Sequence, residues 1–236
     1  MRSCSTGVCT LTPWHTVDLE AQWRVYAEAY DPGRADELSH ALYEQEIEAW
    51  QRAEQHHRSG TLDDLMRAAG VEVSGAGHES AMRAYLDAWT PHTHIDPEAP
   101  PLLQALREMG IRVGVLSNTL WPREHHEAVL ARDGILDLLD GAVYSSEIPY
   151  TKPHPEAFHA AMKSVGVVDP VRVVFVGDRL FDDVSGAKGR GHAGRARATQ
   201  RRARPRCRAR RHDRAVGRPA PAYSNLGLIR PSCPRL

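Results

Sequence analysis

The residues best suited to chemistry in this 236-residue chain are three carboxylates near residue 180, Asp178, Asp182 and Asp183. They follow an apolar run at 171–176 that predicts a buried strand, and Gly177 lets the backbone turn sharply where that strand ends. Such a place suits Mg²⁺, which prefers oxygen ligands and binds through one or two carboxylates beside a phosphate. Asp178 is the predicted ligand. The alternative is that the acids cap a helix beginning near Asp182.

Two upstream segments carry side chains that suit a phosphate. An apolar run at 111–117 predicts a second strand, and it ends in Ser117, Asn118 and Thr119, whose hydroxyl and amide groups can bind phosphate oxygens without adding charge. Lys152 precedes Pro153, which favours an extended or turn conformation before the next helix. Taken singly, a Ser-Asn-Thr is more often a turn or a helix cap, and a lone lysine is usually a solvated charge.

The order of these motifs resembles the haloacid dehalogenase (HAD) superfamily of hydrolases. The resemblance covers roughly residues 100–190. It implies that Ser117 binds the transferring group, that Lys152 offsets charge near the nucleophile, that Asp178 holds Mg²⁺ and that Asp183 supports the site. It also implies an α/β fold with a Rossmann-like parallel sheet and an inserted helical cap domain.

The family motif expected at the first strand is missing. Members of the superfamily open with a strand ending in Asp-x-Asp-Gly-Thr, whose first Asp attacks the substrate and forms a covalent intermediate. Thr10 and Leu11 fit the end of that motif, but Thr6 occupies the nucleophile position. An unactivated threonine cannot replace a carboxylate, so we expect the chain as written to be inactive. Trp14 and His15 follow where the chain enters the cap, as substrate contacts or simple packing residues.

A shifted reading frame would explain both unusual ends, and we offer it as a hypothesis. Residues 1–8 can be written ATG CGG TCC TGT TCG ACT GGG GTG; reading each codon from the last base of the preceding one gives Ala-Val-Leu-Phe-Asp-Trp-Gly. Residues 191–195, written GGG CAT GCG GGC CGT and read one base later, give Gly-Met-Arg-Ala-Val. Each result is what the resemblance leads one to expect at that place. An uninterrupted frame in independent DNA reads would refute the hypothesis.

The zero net charge of the chain conceals a very uneven distribution. Residues 190–236 hold fourteen arginines and one acid, Asp213, whereas the preceding part holds the other 29 of the 30 acids. This Arg/Pro-rich tail has no helical or strand periodicity and is predicted to be disordered. A rival function of another class is non-specific nucleic-acid binding through the tail. Specific binding is not expected, because Tyr223 is its only aromatic residue.

The remaining composition favours an ordinary cytoplasmic protein. The four cysteines lie only in the two unusual ends, which argues against a disulfide or zinc framework: Cys4, Cys9, Cys207 and Cys233. No apolar stretch approaches the roughly 20 residues needed to span a bilayer, so no membrane partner is expected. Histidine pairs at 56–57, 92–94 and 125–126 are interpreted as solvated rather than metal-binding.

The expected organisation is a first core segment at 1–15, a helical cap at 16–91, the core at 92–190 and the tail at 191–236. Apolar spacing predicts cap helices at 17–30, 35–58, 61–69 and 78–89, followed by a Pro-rich hinge. Beyond the hinge, helices at 102–109, 123–131 and 155–165 alternate with strands at 111–117, 142–144 and 171–176. This alternation predicts a parallel sheet covered by helices on both faces, with ligands bound beyond the carboxyl ends of the strands.

The function expected from these features is a Mg²⁺-dependent phosphatase of a small phosphorylated metabolite, acting through an aspartyl intermediate. The frame-shifted reading yields Asp-Trp-Gly-Gly, which lacks the second Asp that usually serves as general acid. A dehalogenase-like hydrolase therefore remains the alternative. No motif indicates the substrate or the oligomeric state.

Overall fold

The computed structural model describes residues 10–13 and 16–188. The predictions that concern Thr6, Trp14, His15 and the tail therefore lie outside the described residues. None of the helices within the described ranges combines the length and the apolar character that a membrane span requires.

The first half of the described chain forms the helical cap from α1 (Leu19–Tyr30), α2 (Ala35–His56), α3 (Leu62–Ala68) and α4 (Gly75–Trp89). Side-chain caps fix two of the starts: Asp18 accepts a hydrogen bond from the Ala21 amide, and Thr61 forms a reciprocal capping box with Asp64. The four helices bury one apolar cluster whose largest members are aromatic or long: Trp23, Tyr26, Leu42, Met66, Tyr85 and Trp89.

The second half alternates helices and strands, as the sequence predicts. Its elements are α5 (Ala99–Glu108), β1 (Gly114–Ser117), α6 (Arg123–Arg132), β2 (Gly141–Tyr144) and α7 (Pro155–Ser164). The two strands are parallel and pair from Gly114 with Gly141 to Ser117 with Tyr144.

Apolar residues cover both faces of this sheet. One cluster joins Leu116 and Val143 of the strands to α7. The other joins Leu103 of α5 to Leu130 of α6, and Val113, directly before β1, packs against it. The prediction of an α/β fold with helices on both faces is therefore confirmed.

The third predicted strand is the main departure from the sequence-based expectation. Residues Pro170–Arg172 form a 3₁₀ turn, and residues 173–177 have no ladder partner among the described residues. A strand needs a neighbour for its backbone N–H and C=O groups, so apolar composition alone does not produce one. The consequence is that Val174 and Val176 are 63% and 49% exposed. Beyond Gly177 the chain forms a π-helical stretch, Leu180–Ser185, and a last helical turn, α8 (Gly186–Lys188).

The cap and the core share packing and backbone hydrogen bonds. Leu120 and Trp121, from the loop after β1, are buried in the apolar cluster of the cap. The Leu62 amide at the start of α3 donates to the Leu120 carbonyl at 2.8 Å. A second joint is an antiparallel bridge between Arg58, just after α2, and Tyr150 of the core.

Candidate active site

The loop after β1 is tied to the segment that carries Lys152. Ser117 ends β1 and is only 1% exposed. The side chain of the next residue, Asn118, makes two hydrogen bonds to the backbone of one residue, Lys152. Its Nδ2 donates to the Lys152 carbonyl at 2.9 Å, and its Oδ1 accepts from the Lys152 amide at 2.7 Å. The Asn118 amide therefore fixes the distance between Ser117 and Lys152, and its polar atoms are engaged by the backbone rather than directed to a ligand.

A buried ion pair connects Lys152 to the carboxylate loop. Lys152 Nζ donates to Asp183 Oδ1 at 2.8 Å, and the side chains are 13% and 2% exposed. The other Asp183 oxygen accepts from the Arg179 amide at 2.9 Å, so both carboxylate oxygens have partners. The Lys152 ammonium also lies 5.2 Å from the centre of the Phe175 ring. Asp183 thus holds the ammonium in place.

Asp178 differs from Asp183 in having an unpartnered oxygen. Its Oδ1 accepts a hydrogen bond from the Thr10 hydroxyl at 3.1 Å, whereas its buried Oδ2 has no hydrogen-bond partner in the described part of the chain. A buried carboxylate oxygen without a partner is costly in an otherwise satisfied loop, and a hard cation is the partner it would best accept.

The described residues fit Mg²⁺ rather than a metal held wholly by protein. They contain no group of three His, Cys, Asp or Glu side chains arranged around one metal position. Mg²⁺ commonly uses one or two carboxylates and completes its shell with water and substrate phosphate. The single free oxygen of Asp178 matches that requirement.

Gly177 allows Asp178 and Asp183 to occupy one tight loop. A Cβ atom at residue 177 would lie 2.5 Å from the Asp183 Cβ and closer still to its carboxylate. Glycine is required here by the close approach of a side chain, and not only by the turn that the sequence suggests.

Thr119 is engaged by protein groups on every side. Its amide donates to Ser145 Oγ at 2.8 Å, and that hydroxyl donates back to the Thr119 carbonyl at 2.9 Å. Its own hydroxyl accepts from the Trp121 amide at 3.0 Å and lies 2.8 Å from His126 Nε2. This network joins the loop after β1 to the residue that follows β2.

The interpretation of residues 125–126 as a solvated histidine pair is wrong. His126 is 2% exposed and stacks on Tyr144 with ring centres 4.7 Å apart. Burial lowers the pKa of His126 to about 3 and that of His125 to about 4, so both rings are neutral at physiological pH. Helical spacing on α6 could have indicated that His126 faces inward, but its partner Thr119 is not recognisable from local sequence.

The structure links five of the predicted site residues through the contacts above or through the chain itself: Ser117, Asn118, Lys152, Asp178 and Asp183. Thr119 supports them from the loop after β1. Because the nucleophile position and the Trp14–His15 pair lie outside the described residues, their roles stay predictions.

Comparison with known proteins identifies the class. The family model of haloacid dehalogenase-like hydrolases matches residues 10–191, and the chain belongs to this family.

Among curated relatives, the glyceraldehyde 3-phosphate phosphatase of Methanopyrus kandleri is 29% identical over 178 residues, which cover 75% of each chain. The N-acetylmuramic acid 6-phosphate phosphatase of Pseudomonas aeruginosa is 29% identical over 54% of this chain and 58% of its own. The crystal structure of a HAD phosphatase from Thermococcus onnurineus superposes with a TM-score of 0.52 at 21% identity, over 75% of this chain and 78% of its own.

Proposed function

We propose that the gene behind this chain specifies a Mg²⁺-dependent phosphatase of small phosphorylated metabolites, and that the chain as written does not turn over. The observation that carries the proposal is the linked set of Lys152, Asp183 and Asp178 at the carboxyl end of β1. The curated relatives support the phosphate class of substrate, because each is named for removal of phosphate from a small molecule.

The residues of this chain have distinct roles in the proposal. The Ser117 hydroxyl binds the phosphate oxygens, and Asn118 and Thr119 of the loop after it hold that hydroxyl in position through their contacts with the protein. The Lys152 ammonium, held by Asp183, offsets the negative charge that develops on the phosphoryl group during transfer. Asp178 would hold Mg²⁺, which supplies further charge neutralisation when bound.

The missing group is the nucleophile. In the family an aspartate attacks phosphorus, and the resulting aspartyl intermediate is then hydrolysed by water. The shifted frame restores an Asp close to Thr6, the residue that occupies its place in this chain. Without that carboxylate, the remaining residues bind and polarise a phosphate but have nothing to attack it.

The experiment compares the chain as written with a version whose shifted ends are restored. We expect no Mg²⁺-dependent hydrolysis of p-nitrophenyl phosphate by the first, and clear turnover by the second. In the restored protein, Asp178→Asn should abolish activity, whereas Asp182→Asn should retain most of it. Asp182 is a matched control because it is a neighbouring carboxylate paired with Arg179 at 3.4 Å.

Two results would contradict the proposal. One is hydrolysis by the chain as written that survives Thr6→Ala but is lost in Asp178→Asn. The other is a restored protein that folds and binds Mg²⁺ but hydrolyses no phosphate ester. A readout besides activity is the rise in Tm of the chain as written on adding Mg²⁺, which Asp178→Asn should remove.

A further inference from the structure

The bridge between cap and core contains two polar side-chain atoms that lack partners. Among the residues that the structure describes, the buried Nδ1 of His57 has no hydrogen-bond partner, and the same is true of the Thr151 hydroxyl, whose residue is 3% exposed. Buried polar atoms are nearly always satisfied, so two orphans on one short joint require an explanation.

The two residues face each other across the bridge. Arg58 pairs with Tyr150, so His57 and Thr151 are the next opposed pair, and the Thr151 amide donates to the His57 carbonyl at 3.0 Å. Opposed residues of an antiparallel pair are the nearest cross-strand neighbours. The unpartnered imidazole nitrogen and hydroxyl therefore belong to one place in the fold.

This place adjoins the active site. Thr151 directly precedes Lys152. The His57 ring lies 6.5 Å from the ring of Phe181, which stands in the carboxylate loop between Asp178 and Asp183. The bridge thus brings one residue of the cap and one residue of the core to the edge of the site.

The backbone at His57 favours a different residue. Its φ is 53°, in the left-handed region, where it ends α2 as the C-cap. Glycine is the residue that adopts this conformation without strain. Histidine is among the few other residue types found in this conformation, but the conformation does not require an imidazole, so it is the orphaned nitrogen that points to a role for the side chain.

We propose that His57 Nδ1 and the Thr151 hydroxyl form a subsite for the organic part of the substrate. An imidazole and a hydroxyl each donate and accept hydrogen bonds, so the pair recognises hydroxyl or carbonyl oxygens. The substrate class is a hydroxylated phosphate ester rather than one with an apolar organic group. The inference rests on the proposed phosphatase function.

The test uses the full 236-residue chain, in which binding can be measured without turnover. Calorimetric titrations in Mg²⁺ use inorganic phosphate, sn-glycerol 3-phosphate and n-propyl phosphate, which has the same carbon skeleton without the free hydroxyls. We expect glycerol phosphate to bind about tenfold more tightly than propyl phosphate, as for one to two net hydrogen bonds. His57→Gly and Thr151→Val should each bring this ratio close to one and leave the Kd of inorganic phosphate unchanged.

Three controls separate recognition from folding. His57→Gly suits the left-handed backbone, so its Tm should equal or exceed that of the parent chain. Thr151→Ser keeps the hydroxyl and should keep the ratio. Tyr150→Phe removes a hydroxyl from the adjacent residue and should also leave the ratio unchanged.

The outcomes divide cleanly between the two proposals. If inorganic phosphate binds but the ratio is near one in the parent chain, or survives both substitutions, the subsite is refuted and the phosphatase proposal stands. If inorganic phosphate does not bind the parent chain at all, the phosphatase proposal fails and the subsite falls with it.

Discussion

Substitution of Gly177 by alanine should displace Asp183 and so break its ion pair with Lys152. The added Cβ would lie 2.5 Å from the Asp183 Cβ, and an ordinary carbon contact begins at 3.4 Å. Asp183 must therefore retreat by about 0.9 Å if it alone moves. Its bond to Lys152 Nζ, now 2.8 Å, would then exceed about 3.5 Å, beyond a normal hydrogen bond.

The energetic consequence follows from the burial of this pair. Gly177→Ala keeps both charges but separates them, so each loses its partner. Breaking a buried ion pair so that a charge is left unpaired costs about 3–5 kcal/mol, which sets the scale of the effect. We expect Gly177→Ala to lower the free energy of unfolding by about that amount in urea titrations followed by circular dichroism. Binding of inorganic phosphate should weaken as well, because the Lys152 ammonium is no longer held in place.

A double-mutant cycle tests the reasoning. Asp183→Gly removes both the Cβ and the carboxylate with which the new methyl collides, so Gly177→Ala should cost much less in that background. The two effects should therefore be strongly non-additive, with an interaction energy of about 2 kcal/mol or more. Additive effects would refute the argument that the glycine exists to accommodate Asp183.

Three further predictions concern other parts of the molecule. Burial raises the pKa of the Glu46 carboxyl above its ordinary 4.5. The folded state therefore binds this proton more tightly than the unfolded state does, and the free energy of unfolding should fall as pH rises from about 4.5 through the folded-state pKa. Glu46→Gln should remove that fall in urea titrations between about pH 4 and 8, and an unchanged pH profile would contradict the assignment. Trp121→Ala should destabilise the protein by about 3–5 kcal/mol by leaving a cavity in the cap, measured by thermal or urea unfolding; a loss below about 1 kcal/mol would show that this packing matters little. Asn118→Ala should weaken binding of inorganic phosphate, measured by calorimetry, because the contacts to Lys152 are lost. Asn118→Asp keeps only the acceptor, so its affinity should lie between those of the parent chain and of Asn118→Ala. Equal affinities of the parent chain and both variants would exclude the positioning role.

The helices of the cap were predictable because their apolar positions repeat with helical spacing. In α2, Leu38 and Leu42 carry the repeat and are 4% and 0% exposed. The burial of Glu46 in the same helix was not predictable, because a carboxylate is normally exposed. It is accommodated by indole N–H groups of Trp23 on α1, at 2.8 Å, and Trp50. The first of these comes from another helix, so no local sequence pattern reveals it.

The site was predictable as a set of motifs but not as a network. Strand ends and a lysine before proline indicate which residues gather at one edge of the sheet. These motifs do not show that the Asn118 side chain hydrogen-bonds the backbone of Lys152, or that His57 of the cap lies close to the carboxylate loop. Such contacts join residues far apart in the chain and depend on the packed structure. The prediction of a strand at 171–176 was wrong for a related reason, because a strand forms only with a hydrogen-bonding partner, and the described residues provide none for this segment.

Leu120 and Trp121 lie in the core segment of the chain, in the loop after β1, but their side chains pack into the apolar cluster of the cap. A cap grafted from a relative at the usual linkers would meet these two side chains without the pocket that receives them. It would also have to place a backbone amide where that of Leu62 donates to the Leu120 carbonyl. The unit that can be exchanged between relatives is therefore the cap together with the loop after β1, so the residues next to Ser117 must be exchanged along with the cap.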